Sequence, residues 1–90
     1  MADVILTIKI MPEGVETDLG KLEINAKKIC EKYGRLNKTE IVPVAFGLKS
    51  LIITMLMDED KGSTEPLEKE LAELKNVSSA EITNVSRALG

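Results

Sequence analysis

The sequence has no histidine, no tryptophan, a single cysteine (Cys30) and only two aromatic residues, Tyr33 and Phe46. Each shortage excludes a kind of chemistry. Without histidine, the commonest general base and the commonest metal ligand are both missing, and no Ser or Thr hydroxyl has its usual activating partner. A lone cysteine forms no internal disulfide and completes no Cys-x-x-Cys metal or redox site. Two rings cannot supply the stacking platform with which a sheet binds single-stranded RNA. Cations are in deficit as well: 12 Lys and Arg against 15 Asp and Glu give a net charge of -3 and a pI near 5.0. That is the wrong sign for binding nucleic acid through its phosphates. No apolar run approaches the length of a spanning helix, and Met1-Ala2-Asp3 is not a basic signal-peptide start.

What is present suits a folded chain. Hydrophobic residues are 43% and charged residues 30% of the sequence, which places it among globular rather than disordered proteins. Ninety residues form one domain, 1–90, with no room for a second core. The expectation is a small, soluble, cytoplasmic protein that is not an enzyme and carries no cofactor or metal of its own.

Val4-Ile5-Leu6-Thr7-Ile8-Lys9-Ile10-Met11 alternates with a period of two and is rich in β-branched residues, so it predicts a strand ended by Pro12-Glu13-Gly14. Thr17-Asp18 supplies a helix N-cap with an acid in the first turn. Leu19, Leu22, Ala26, Ile29 and Tyr33 follow as one apolar stripe, and Gly34 is placed to cap its end. Residues 41–44 and 50–57 read as strands joined by a hairpin or bulged turn around Gly47. Pro43 cannot donate to a ladder, which predicts an edge strand, whereas the run from Ser50 is apolar on both faces and suits a central one. Ser63 or Thr64 caps a second helix with Pro66 in its first turn and Leu67, Leu71 and Leu74 on its buried stripe; Asn76 ends it. Residues 77–85 resume a strand. Right-handed crossovers then put both helices on one face of a four-stranded antiparallel sheet, the α+β, ferredoxin-like βαββαβ sandwich.

Few residues offer chemistry beyond packing. Asp58-Glu59-Asp60 suggests calcium, but an EF-hand loop starting there needs Gly at its sixth place and Glu at its twelfth, which hold Ser63 and Lys69. A hydrated turn before a helix explains the acids instead. Cys30 is a small residue near the interior. Phe46, beside Gly47 at the hairpin tip, has two readings: it folds back over a sheet edge, or it anchors a partner in the manner of an interface hot spot. Arg87 also has two: it solubilises the last strand, or its fork reaches a phosphate or carboxylate cluster.

The run Val42-Pro43-Val44-Ala45-Phe46-Gly47-Leu48-Lys49-Ser50-Leu51-Ile52-Ile53 resembles the Val-Pro-Val-Gly-Tyr/Phe-Gly-Ile-Lys-Lys-Leu signature of the elongation factor 1-beta family in its short archaeal form. Glu16-Thr17-Asp18-Leu19-Gly20-Lys21-Leu22-Glu23, Asp58-Glu59-Asp60-Lys61 and Val77-Ser78-Ser79-Ala80-Glu81-Ile82 resemble its other segments, so the likeness covers essentially the whole chain. It implies a ferredoxin-like guanine-nucleotide exchange domain whose partner is the translation GTPase elongation factor 1-alpha, with no direct contact to nucleic acid or membrane. It assigns partner binding to Phe46, Gly47 and Lys49, the ring entering a pocket in the partner's second domain. It assigns the exchange element, a basic residue brought toward the magnesium and phosphate site, to Arg87. Arg stands there in place of the eukaryotic Lys, followed by Ala88-Leu89-Gly90. The fold alone also suits a small-ligand-sensing or protein-interaction module, a reading against which the lack of a Gly-rich ligand loop counts.

Overall fold

Alternation in the first strand sorts its side chains onto two surfaces. In a computed structural model, which describes residues 3–58 and 64–87, β1 (Asp3–Pro12) turns Leu6, Ile8 and Ile10 into the core with no exposure at all. Ile5, Thr7, Lys9 and Met11 lie on the opposite side, half-buried. Helix α1 (Leu19–Tyr33), strands β2 (Arg35–Pro43) and β3 (Lys49–Asp58), helix α2 (Glu65–Ala72) and strand β4 (Val77–Arg87) complete the order βαββαβ. The strands form one antiparallel sheet in the order β2-β3-β1-β4. This is the ferredoxin-like arrangement expected from the element order, with Pro43 on an edge and the doubly apolar β3 inside.

Both helices cover the same side. α1 lies against β2 and β3, and α2 against β4. Leu22, Ala26 and Cys30 of α1 and Leu67 and Leu71 of α2 meet Leu51, Ile53, Met55 and Met57 of β3 in a single cluster. Each fully buried aliphatic side chain there contributes roughly 1.5–3 kcal/mol relative to exposure. The other face of the sheet carries no helix; Ile5, Met11, Ile52 and Leu56 are half-buried on it among Thr7, Thr54 and Lys9.

Local details differ from the sequence expectations in physically instructive ways. The α1 cap is Asp18, whose Oδ1 accepts from the Lys21 amide at 3.2 Å, so the acid sits at the cap and not within the first turn. Gly34 does cap the helix, its N–H donating to the Cys30 carbonyl at 3.0 Å, but its backbone is extended rather than left-handed. Space is the reason for glycine: a Cβ there would stand 2.1 Å from the Leu56 carbonyl oxygen. β2 starts at Arg35, six residues before the predicted start at Ile41. An unpaired Asn37 bulges from the ladder between Leu36 and Lys38, and most β2 side chains face solvent, so no alternation marks the strand. α2 ends at Ala72 and not at Asn76, which adopts φ 70 in the turn into β4. Thr64 precedes that helix without a side-chain capping bond. The proposed cap Ser63 and the acidic turn at 59–62 lie outside the described residues, as do Ala88, Leu89 and Gly90.

A polar cluster ties the helices together at one end. Glu70 accepts from Lys32 Nζ at 2.6 Å and from the Tyr33 hydroxyl. Hydrogen bonding to Lys32, and then to Tyr33, holds the Glu70 carboxyl below its ordinary range, while the same carboxylate pushes the Tyr33 hydroxyl up. Tyr33 packs against the core edge, as its place on the α1 stripe predicts.

Candidate functional site

The β2–β3 hairpin narrows to four residues. Leu48 N–H donates to the Ala45 carbonyl at 3.0 Å, closing a turn whose central residues, Phe46 and Gly47, both have positive φ, 56° and 79°. That is the backbone twist hairpin turns prefer. Val44 N–H donates to the Leu48 carbonyl at 2.8 Å and fixes the base of the tip. Gly47 meets the turn's demand without strain; a Cβ on it would find Val15 Cγ1 at 3.7 Å, an ordinary contact, so conformation and not space selects glycine.

Phe46 meets the same demand at a cost. A side chain in the left-handed region is disfavoured by roughly 1–2 kcal/mol, and this one recovers nothing by burial, being 97% exposed. Of the two readings of Phe46, packing over its own sheet edge is therefore excluded. The ring is thus held out in solvent on a doubly hydrogen-bonded turn. Lys49, also exposed, stands at the base of the tip opposite Pro43.

Residues that sequence reasoning passed over surround this tip. Val15, Ile41, Val42 and Val44 are exposed apolar side chains of the same region. An open cleft of about 490 Å³ runs beside the hairpin, lined by Pro12, Val15, Leu19, Ile41, Gly47 and Lys49, among others. The one signal available was Val15 itself, an apolar residue within the otherwise polar turn Glu13-Gly14-Val15-Glu16.

Arg87 lies elsewhere. It closes β4, is exposed, and pairs with Val4 at the start of β1. The hairpin projects beyond the other end of β1, where Ile10 pairs with Leu51 and Leu51 with Ile41. The two candidates are thus not parts of one pocket. At ~3.4 Å per strand residue they stand on the order of 35 Å apart, in a body whose longest dimension is 42 Å.

Among the described residues, no group of three or more Cys, Asp or Glu side chains could hold a metal ion, and Cys30 is wholly buried, its thiol pushed up to about 11 by burial and then by Glu31. No described helix is long and apolar enough to cross a membrane.

The described residues form a ferredoxin-like sheet with one exposed ring, Phe46, on a hairpin at its end. Residues 5–88 match the EF-1 guanine nucleotide exchange domain, and the chain belongs to that family. It is 41% identical over 87 residues to Elongation factor 1-beta of Methanococcoides burtonii, a match covering 97% of this chain and 98% of that one. It is 40% identical over 88 residues to Elongation factor 1-beta of Methanosarcina barkeri, covering 97% and 99%. Among solved structures, the ACT domain from GTP pyrophosphokinase of Chlorobium tepidum superposes with a TM-score of 0.61 over 89% of this chain and 97% of that one. At 15% sequence identity that likeness concerns architecture alone.

Proposed function

We propose that this protein promotes exchange of GDP for GTP on elongation factor 1-alpha through two separate contacts, an aromatic hairpin tip that docks and a terminal arginine that disturbs the nucleotide site. Family membership and the kinship with factors named Elongation factor 1-beta support the exchange role and the partner. The observation that carries the docking contact is Phe46, held strained and 97% exposed on a rigid turn. A preordered ring enters a pocket with little loss of entropy, and an anchor of this kind contributes about 2 kcal/mol or more. Gly47 supplies the turn and Lys49 a cation at its base.

Arg87 is the second contact. Nucleotide affinity in GTPases of this kind depends on a magnesium ion neutralising the phosphate oxygens. A permanent cation brought near that ion repels it and competes for the phosphates. Separation of Arg87 from the hairpin lets docking free energy at one end hold the distorted nucleotide site at the other. Thermodynamic linkage then requires nucleotide and exchange factor to weaken each other's binding equally. Release a thousandfold faster requires a barrier lower by about 4 kcal/mol. The protein makes and breaks no covalent bond, and the direction of exchange follows the surrounding GTP and GDP concentrations. Its place of work is the cytoplasm, with the GTPase.

The test is release of a fluorescent GDP analogue from purified elongation factor 1-alpha with this protein titrated in. A steep, saturable rise in the release rate is expected. A rate that stays at its intrinsic value at every concentration would remove the exchange reading.

A further inference from the structure

β4 does not run straight to Arg87. Thr7 pairs with Asn84 and Ile8 with Ile82, so Thr83 is an extra residue in the ladder. Side chains alternate across a sheet with a period of two, and directly opposed residues share a face. A one-residue bulge therefore reverses the side to which everything downstream projects. Ala80 and Ile82, opposite Ile10 and Ile8, are on the helix side. Continued without the bulge, the same sequence would set Val85 opposite Ile5 and Arg87 opposite Asp3, on the helix-free side. With it, Val85 lies opposite Leu6 and Arg87 opposite Val4, whose side chain packs against the core.

Two side chains hold the bulge. Glu68 of α2 reaches the edge of the sheet, where its Oε2 accepts from the Ile82 amide at 3.2 Å. Thr83 turns its hydroxyl back to donate to the Thr7 carbonyl at 3.3 Å. The first occupies an edge amide at the point where the ladder breaks, and the second fastens the extra residue to β1. Neither residue belongs to the buried core cluster. Val85, 57% exposed beside Arg87 on the same side, shows that no helix covers this corner.

We propose that Glu68 and Thr83 are positioning residues that hold the β4 bulge and so deliver Arg87 to the helix side of the sheet, the facing that its exchange role requires. This rests on the reading of Arg87 as the exchange element. It adds that the side of the sheet, fixed by residues remote from the nucleotide, decides whether Arg87 works.

The experiment uses the full chain and fluorescent-GDP release from elongation factor 1-alpha, resolving the limiting release rate from the half-saturating concentration. NMR contacts between the Arg87 side chain and the Val4 methyls report the facing independently of activity. The double variant Glu68→Ala/Thr83→Val is expected to lose the Arg87–Val4 contact and at least fivefold of the limiting rate, with half-saturation within twofold. Glu68→Gln/Thr83→Ser, which keeps both hydrogen-bonding oxygens, retains contact and rate. Two deletions test the parity without depending on those bonds. Removing Thr83 straightens the ladder and leaves Arg87 opposite Val4, so the rate is kept; removing Ser86 sets Arg87 opposite Ile5 on the other side, so the rate falls. Equal rates for the two deletions, or a double variant that keeps contact and rate, overturn the proposal. If Arg87→Ala itself leaves release unchanged, the exchange-element reading falls instead, and the Val4 contact alone still decides whether Glu68 and Thr83 set the facing.

Discussion

Phe46 and Arg87 occupy opposite ends of one sheet, the first beyond the end of β1 at which Ile10 pairs with Leu51, the second opposite Val4 at its start. One sheet thus connects the two residues to which the proposal assigns docking and exchange. The strands between them, β3 and β1, are the two in the middle of the sheet, so the span that separates the two residues is close-packed core and not loop.

Removing the ring separates docking from folding. Phe46→Ala is expected to raise the concentration of protein needed for half-maximal GDP release about thirtyfold, from a loss of about 2 kcal/mol at the interface. Phe46→Gly should do the same while unfolding at no lower urea concentration than the parent, because the φ of 56° costs glycine nothing. Loss of cooperative unfolding in either variant would contradict the exposed placement of the ring.

Arg87→Ala is expected to act on rate rather than on affinity. The limiting rate of GDP release should drop at least tenfold, about 1.4 kcal/mol in the barrier, while half-saturation changes little. Equal losses in both quantities would reduce Arg87 to an ordinary contact. Arg87→Lys keeps the charge and loses the fork, so it distinguishes a requirement for a cation from one for bidentate recognition.

Gly34→Ala tests close approach at the end of α1. The new methyl would meet the Leu56 carbonyl oxygen at 2.1 Å, a backbone atom of a central strand that cannot step aside. A loss of about 1–3 kcal/mol, or more, in urea denaturation is expected. Gly47→Ala should also destabilise the protein, but through its φ of 79° and with no clash. Its loss should be smaller, about 1 kcal/mol.

Cys30 predicts an alkaline weakness. Its thiol is pushed up to about 11 in the folded protein from an ordinary value of 9.0. Below pH 9 both states hold the proton and stability is independent of this group. Above it the unfolded chain ionises first, so stability falls as pH rises from about 9 to about 11, by about 2–3 kcal/mol at most. Cys30→Ala should flatten that part of the pH profile. Maleimide reagents should label the native protein only as fast as it opens.

Much of the architecture was legible because it rests on short-range patterns. The period of two in β1, the apolar stripe of α1 and the Leu67–Leu71 pair of α2 follow from which side chains must leave water, and Pro43 marks an edge because it has no N–H. The early half of β2 was not legible. Arg35 to Glu40 show no alternation, since an edge strand with a bulge at Asn37 has little to bury. The helix ending at Ala72 was overestimated because Leu74 continues the apolar spacing from a turn rather than from helix. At the hairpin, sequence placed Phe46 on a turn but left its side chain to either of two fates.

By itself the sequence determined the element order, the inward faces and the chemistry that this chain lacks, because propensity, periodicity and residue type are properties of neighbours along the chain. Only the tertiary structure decided that Phe46 stands clear of the protein, that Gly34 is required by the Leu56 carbonyl, and that Arg87 stands opposite Val4 across a bulged ladder. Those outcomes depend on the approach of segments distant in sequence and on the count of residues between two paired strands, where one extra residue turns a side chain to the opposite face.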